Sequence, residues 1–258
     1  MFILYFIIGL FATTLGSIAG LGGGVIIKPV LDFFGHYDLS TIGILSAATV
    51  FSMATVSLIK MRKMDVKLDK LNSALIAAGS ILGGFIGKAV FNYFVISLGI
   101  SKEMGIFQSI LLALLLALIF VYFKYKHAMK RFKIENKAII LSIGFVLGLL
   151  SSFLGIGGGP LNVAVLSLLF SMNAKNAACN SIFIIFFSQL SALVLAGVTT
   201  NIGDYNLMML PYMIVGGILG GLIGTSFVHK LTDKQIEKIF NVAILAILFI
   251  NIYNVFSY

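Results

Sequence analysis

The chain has 258 residues, 60% hydrophobic and only 10% charged, with a mean hydropathy of +1.09, whereas soluble domains are about half apolar and a quarter charged. A water-soluble fold of this size has nowhere to hide so much apolar surface, so lipid is the solvent. The excess of 18 Lys+Arg over 9 Asp+Glu does not point to nucleic acid, because the basic residues sit in short loops between apolar runs.

Apolar runs fall at 2–34, 41–60, 71–97, 105–123, 138–171, 176–200, 206–228 and 238–256. The alternating ten-residue segments of a membrane β-barrel are absent. In lipid each backbone group must be satisfied within its own segment, so helices remain. Six runs suit one crossing of roughly 20 residues. The first and fifth are too long, and glycines interrupt both. Residues 2–12 lack the basic n-region of a cleavable signal peptide. The single cysteine, Cys179, excludes disulfide scaffolds, CxxC pairs and Cys-based metal sites within one chain. It reads as a small buried hydrophobe.

The chain repeats itself. Gly20-Leu21-Gly22-Gly23-Gly24 recurs at Gly155-Ile156-Gly157-Gly158-Gly159, an offset of 135. Gly79, Gly83 and Gly87 recur at Gly216, Gly220 and Gly224, an offset of 137. Between these anchors Ala48-Thr49-Val50-Phe51 lies roughly opposite Cys179-Asn180-Ser181-Ile182. Three anchors in one order indicate a duplication. The first membrane repeat is expected over 1–127, a basic cytoplasmic linker over 128–137, and the second repeat over 138–258.

Loop charge orients the halves. Lys60, Arg62, Lys63, Lys67 and Lys70 occupy one loop, Lys124, Lys126, Lys130, Arg131, Lys133 and Lys137 another, and Lys230, Lys234 and Lys238 a third. These hold 14 of the 18 basic residues and are expected in the cytoplasm. The stretches with Asp32 and Asp38, and with Asp204, are expected outside. All assignments agree only if the first and fifth runs enter and leave on one side. The expected architecture is therefore an all-α polytopic membrane protein of two inverted repeats. Each would be a glycine-broken pair of short helices plus three transmembrane helices, with both termini outside.

Inverted repeats with broken helices place substrate near the midplane in transporters. Glycine admits positive φ and close approach, and helices starting near Val25 and Pro160 would aim unpaired N–H groups at an anion. Gly22, Gly23 and Gly24, with Gly157, Gly158 and Gly159, are thus candidate binding residues. The Gly79 and Gly216 series read instead as helix-packing stripes. Lys28 lies inside an apolar run, where charge is costly. Neutralising a bound anion, snorkelling outward and pairing with Asp32 at i+4 all remain open for it. Lys88, nearer a segment end, reads as snorkelling. Ser46, Thr49 and Ser52 share one helix face; Asn180, Ser181 and Gln189, with Asn162, offer neutral donors in the second half. Each of these also suits an interhelical hydrogen bond.

The segments GSIAGLGGGVIIKPVLDFFG (16–35) and GLLSSFLGIGGGPLNVAVL (148–166) resemble the sulfite exporter TauE/SafE family of membrane permeases, across essentially the whole chain. The resemblance implies transport of sulfite, thiosulfate or organosulfonates, and in some members other organic anions. Family members usually carry a proline about five residues after each motif. Pro29 matches, whereas position 164 is Ala and Pro160 directly follows Gly159, so the resemblance does not make the half-sites equivalent. His36, His127 and His229 are scattered near loops, and no HExxH, GxSxG or Walker pattern occurs. No enzyme activity, catalytic residue, metal or cofactor is expected. The expected partners are a small anionic substrate and the lipid bilayer of the cell membrane, with no nucleic acid. A homodimer, a passive anion channel and a non-transporting assembly factor stay open.

Overall fold

The computed structural model describes residues 2–62, 69–126, 132–199, 203 and 205–257. The first apolar run folds as two helices, α1 (Phe2–Ala19) and α2 (Gly24–Phe34), followed by α3 (Leu39–Met61), α4 (Lys70–Asn92) and α5 (Ser101–Tyr125). A π-helical turn, Tyr93–Ser97, extends α4. The second half gives α6 (Lys137–Leu154), α7 (Gly159–Leu169), α8 (Ala174–Thr199), α9 (Leu210–Lys230) and α10 (Asp233–Ser257). Helix lengths of 18, 11, 23, 23 and 25 residues are answered by 18, 11, 26, 21 and 25. No strand occurs among the described residues. Lys63, Lys67, His127, Lys130, Arg131 and Asp204 lie outside the described residues, with positions 128–131 of the expected linker.

Polar residues between the apolar runs open the helices. Asp38 accepts from the Ser40 and Thr41 N–H groups at 2.9 and 3.0 Å, and Asn136 accepts from Ala138 N–H at 2.9 Å. Thr232 and Gln235 form a reciprocal capping box before α10. Among the described residues, eight helices are long and apolar enough to cross a membrane. The arms of each broken pair are unequal: α1 and α6 belong to those eight, while α2 and α7, at 11 residues, reach only about 16 Å.

The glycine stripes seat each half on the other. A Cβ at Gly79, Gly83 or Gly87 would overlap the carbonyls of Leu141, Phe145 and Leu149 on α6. One at Gly216, Gly220 or Gly224 would meet the backbone of α1 from Phe6 to Thr14. Paired positions ascend together, so α4 runs parallel to α6 and α9 parallel to α1. By contrast, the early residues Gly43 and Ala47 of α3 border the same cavity as Lys88 near the end of α4 and Ala196 near the end of α8. Helix α3 therefore runs opposite to α4 and to α8, its own counterpart.

Each broken pair returns to the end where it began. Tyr5 on α1 is hydrogen-bonded to His36, just past α2, at 2.8 Å. Before α6, Phe132 and Ile134 donate to the carbonyls of Leu168 and Leu169 at the end of α7, at 3.0 and 3.1 Å. The described helix ends that flank the basic loops gather at one end. Lys60 at the end of α3 bonds to Ser226 on α9, Lys126 after α5 pairs with Glu237 on α10, and Lys175 on α8 donates to the His229 carbonyl at 3.1 Å.

Replacing Gly83 by Ala should destabilise the purified protein by about 1–3 kcal/mol, the usual cost of overpacking. Gly197, which has open space around it, should accept Ala without loss. Chemical denaturation in detergent checks both; equal stability of the two variants would contradict the packing described.

Candidate functional site

Both glycine motifs break their helices. Gly20, Gly22 and Gly23 have φ of 71°, 82° and 81°, and Gly155, Gly157 and Gly158 have 67°, 75° and 73°. L side chains seldom occupy this region, which explains why glycine recurs at all six places. The final glycine of each motif starts the short helix and packs on the other break. A Cβ on Gly24 would stand 2.9 Å from the Ile156 carbonyl oxygen, and one on Gly159 would overlap that of Leu21. The two breaks therefore cross at van der Waals contact, and the N-termini of α2 and α7 both start from the crossing. Among the described residues, the N–H groups of Gly23, Gly157 and Gly158 donate no hydrogen bond.

Open space lies beside the second break. A cavity of about 40 Å³ is bordered by Gly155 and Gly157, Ser151 of α6, Lys88 of α4, Gln189 of α8 and Ala47 of α3. At roughly 10–15 Å³ for one water, it holds a few waters or one small oxyanion. The Gln189 amide nitrogen lies 3.2 Å from where a Gly157 Cβ would be. The Ser151 hydroxyl is buried with no partner among the described residues, a condition that calls for a bound polar group. The Lys88 ammonium lies over the Phe91 ring at 4.5 Å from its centroid. The matching space at the first break is filled: Ile185 covers Gly22 and Ala178 covers Gly20.

The remaining candidates divide by location. Ser181 donates to the Gly20 carbonyl at 2.7 Å and the Gly159 carbonyl at 3.5 Å, joining the two breaks. Ser46 stands 3.2 Å from the place of a Gly24 Cβ. Ser46 and Ser181 are therefore equivalent, 135 apart, as are the residues opening their helices, Asp38 and Asn173. This replaces the register that set Ala48 opposite Cys179. Asn162 lies 3.6 Å from the place of a Gly158 Cβ. Thr49 donates to Leu45 at 2.7 Å and backs onto Gly217. Asn180 accepts from Asp69 N–H at 2.9 Å and the Ser73 hydroxyl at 2.7 Å, far along α8 from Gln189, and there it secures the start of α4.

Lys28 is buried, and its ammonium donates to Gln108 at 2.5 Å and to the Leu154 carbonyl. Gln108 in turn donates to the Phe153 carbonyl. The pair caps the C-terminus of α6, where the helix dipole favours positive charge. The ammonium stands directly behind Gly155, 3.2 Å from the place of its Cβ, so it supports the break from the far side of the cavity. Sequence reasoning passed over Lys88 as a cavity residue. Its signal was a charge one residue past Gly87, on the helix whose stripe fixes it against α6. Ser151, one turn before a glycine break, carried no comparable signal.

A wider mouth of about 360 Å³ lies between Asp32, Tyr37, Asp38 and Lys102, at the end away from the basic loops. Burial pushes the Tyr37 phenol above its ordinary range.

Eight helices of spanning length and hydropathy among the described residues, two glycine breaks at one crossing and a small polar cavity at one break define a multi-pass membrane transporter. The chain belongs to the sulfite exporter TauE/SafE family, whose sequence model matches residues 5–250. It is 29% identical over 269 residues to the "Probable membrane transporter protein YunE" of Bacillus subtilis (strain 168), covering 95% of each chain. It is 26% identical over 246 residues to the "Probable membrane transporter protein MJ0441" of Methanocaldococcus jannaschii, covering 91% of this chain and 89% of that one. No solved structure matches it.

If Lys28 and Gln108 work as one cap, Lys28→Met and Gln108→Leu should each destabilise the protein. Their double mutant should fall short of additivity by about 1 kcal/mol or more. Strict additivity in denaturant titrations would dissolve the pair.

Proposed function

We propose that this protein is a secondary carrier for a small sulfur-containing anion such as sulfite, thiosulfate or an organosulfonate. The observation that carries this reading is the cavity beside Gly157. It gathers the unpaired Gly157 backbone N–H, the unpartnered Ser151 hydroxyl, the Gln189 amide and one cation, Lys88, just before the N-terminus of α7. Donors dominate this set, and it contains no carboxylate, so an anion is its natural occupant. Neutral donors hold such a ligand without trapping it, and Lys88 balances its charge in a low dielectric. The sulfur class rests on the family's description.

The halves work as an inverted repeat across the membrane, a reading supported by the opposite directions of α3 and α8 and by the two returning broken pairs. The basic end lies in the cytoplasm by the positive-inside rule. The cavity then opens toward the outer face, and rocking of one half on the other, hinged at the glycine crossing, gives alternating access.

Thermal unfolding of purified protein tests the ligand. A ligand at 100 times its Kd stabilises by about 2.7 kcal/mol. Thiosulfate should raise the Tm of the unmodified protein but not of Lys88→Ala or Gln189→Ala. Asn180→Ala should lower the starting Tm yet keep the thiosulfate shift. In proteoliposomes the flux should saturate and show counterflow. Flux linear in concentration would make the protein a channel, and stabilisation by carboxylates in preference to sulfur oxyanions would move it to the organic-anion transporters.

A further inference from the structure

The Lys88 cavity has a closed twin. Ser17 on α1, Ser57 on α3 and Thr225 on α9 are fully buried. The Ser17 hydroxyl lies 3.0 Å from each of the other two. Carried across the duplication, Ser17 corresponds to Ser152 and Ser57 to Ala192 at an offset of 135, and Thr225 to Lys88 at 137. All three counterparts border the open cavity. The same offset takes Ile44, on the cavity wall, to Cys179, which is buried. Thus the residues around this triad are those that would line a cavity at the first break if that half opened as the second has.

What closes the twin is also visible. Ala178 and Ile185 cover Gly20 and Gly22. On the basic side, Lys60 donates to the Leu222 carbonyl at 2.9 Å and to Ser226, tying the ends of α3 and α9 together. Three hydroxyls meeting among three helices exceed what tight packing needs in this region, since the glycines of α9 already admit α1 and α3 closely.

Resting on the carrier reading above, we infer that Ser17, Ser57 and Thr225 form the anion subsite used when the protein opens toward the basic loops. Each hydroxyl now donating to or accepting from its neighbour turns its proton to the anion once α9 separates from α1 and α3. The charge differs between the twins: Lys88 is answered by Thr225, and Gln189 by Ala54. The anion therefore meets a cation on one side of the cycle and neutral hydroxyls on the other, which favours release at the basic face.

The native cysteine reports on this directly. A small membrane-impermeant methanethiosulfonate is applied to right-side-out and to inside-out membrane vesicles, with sulfoacetate as the protecting anion because it carries no sulfur nucleophile. Cys179 should be labelled about tenfold faster from the basic face than from the other, and saturating sulfoacetate should slow that labelling about fivefold. Ile44→Cys in a Cys179→Ala protein should show the reverse face preference with similar protection. Thr225→Val should abolish protection at Cys179, whereas a merely structural triad would leave it intact. Labelling of Cys179 at equal rates from both faces, or at neither, while Ile44→Cys is labelled and protected from its own face, overturns the subsite alone. Absence of protection at both positions overturns the carrier reading beneath it.

Discussion

Everything in this molecule is organised by the crossing of two backbone breaks. Gly24 rests on the carbonyl of Ile156 and Gly159 on that of Leu21, so neither position tolerates a side chain. The contact does more than allow close packing. By ending α1 and α6 deep in the protein, it creates helix termini where lipid offers no water to satisfy them. Those termini must find partners from protein or from a ligand. At the C-terminal ends the partners are internal: Lys28 and Gln108 take the carbonyls at the end of α6. At the N-terminal ends glycine N–H groups are left over. That polarity, acceptors satisfied and donors free, is what underlies the anion-binding role proposed for the centre of the protein.

The breaks would mean little if the halves did not pass through one another. Each stripe helix, α4 or α9, lies against the first arm of the opposite half. Movement of one half therefore shifts the stripe of the other along with its break. Lys88 is carried on such a stripe helix, next to Gly87, and so the charge at the cavity belongs to one half and the glycines facing it to the other. A site assembled from both halves responds to their relative position, which is the physical requirement for coupling binding to a change of access.

Much of this was legible in the sequence. The duplication at offset 135, the helix breaks and the packing role of the Gly79 and Gly216 stripes follow from glycine spacing, because glycine is demanded by backbone geometry and leaves little to context. The register of α3 against α8 was not legible to the same degree. Small polar residues are common enough in membrane helices that Thr49 and Asn180 aligned plausibly. The structure instead matches Ser46 to Ser181, with helix starts fixed by Asp38 and Asn173. Lys28 and Lys88 were harder still. Sequence gives the depth of a lysine but not the direction of its long side chain. Here the deeper one turns to a helix C-terminus, while the one nearer a segment end turns to the cavity.

Duplication alone would give two identical half-sites. The protein departs from identity where charge is concerned, with Lys88 against Thr225 and Gln189 against Ala54, while it keeps identity where backbone shape is concerned, at the six positive-φ glycines of the two breaks. That division suits the carrier proposed above. On that reading, equal backbone geometry would keep the two access states close enough in energy to interconvert. Unequal side chains would make a bound anion prefer one of them, since a ligand shifts an equilibrium only by its difference in affinity for the two states. With a lysine counterpart to Lys88 on α9, such a carrier would grip the anion alike in both states and the difference would vanish.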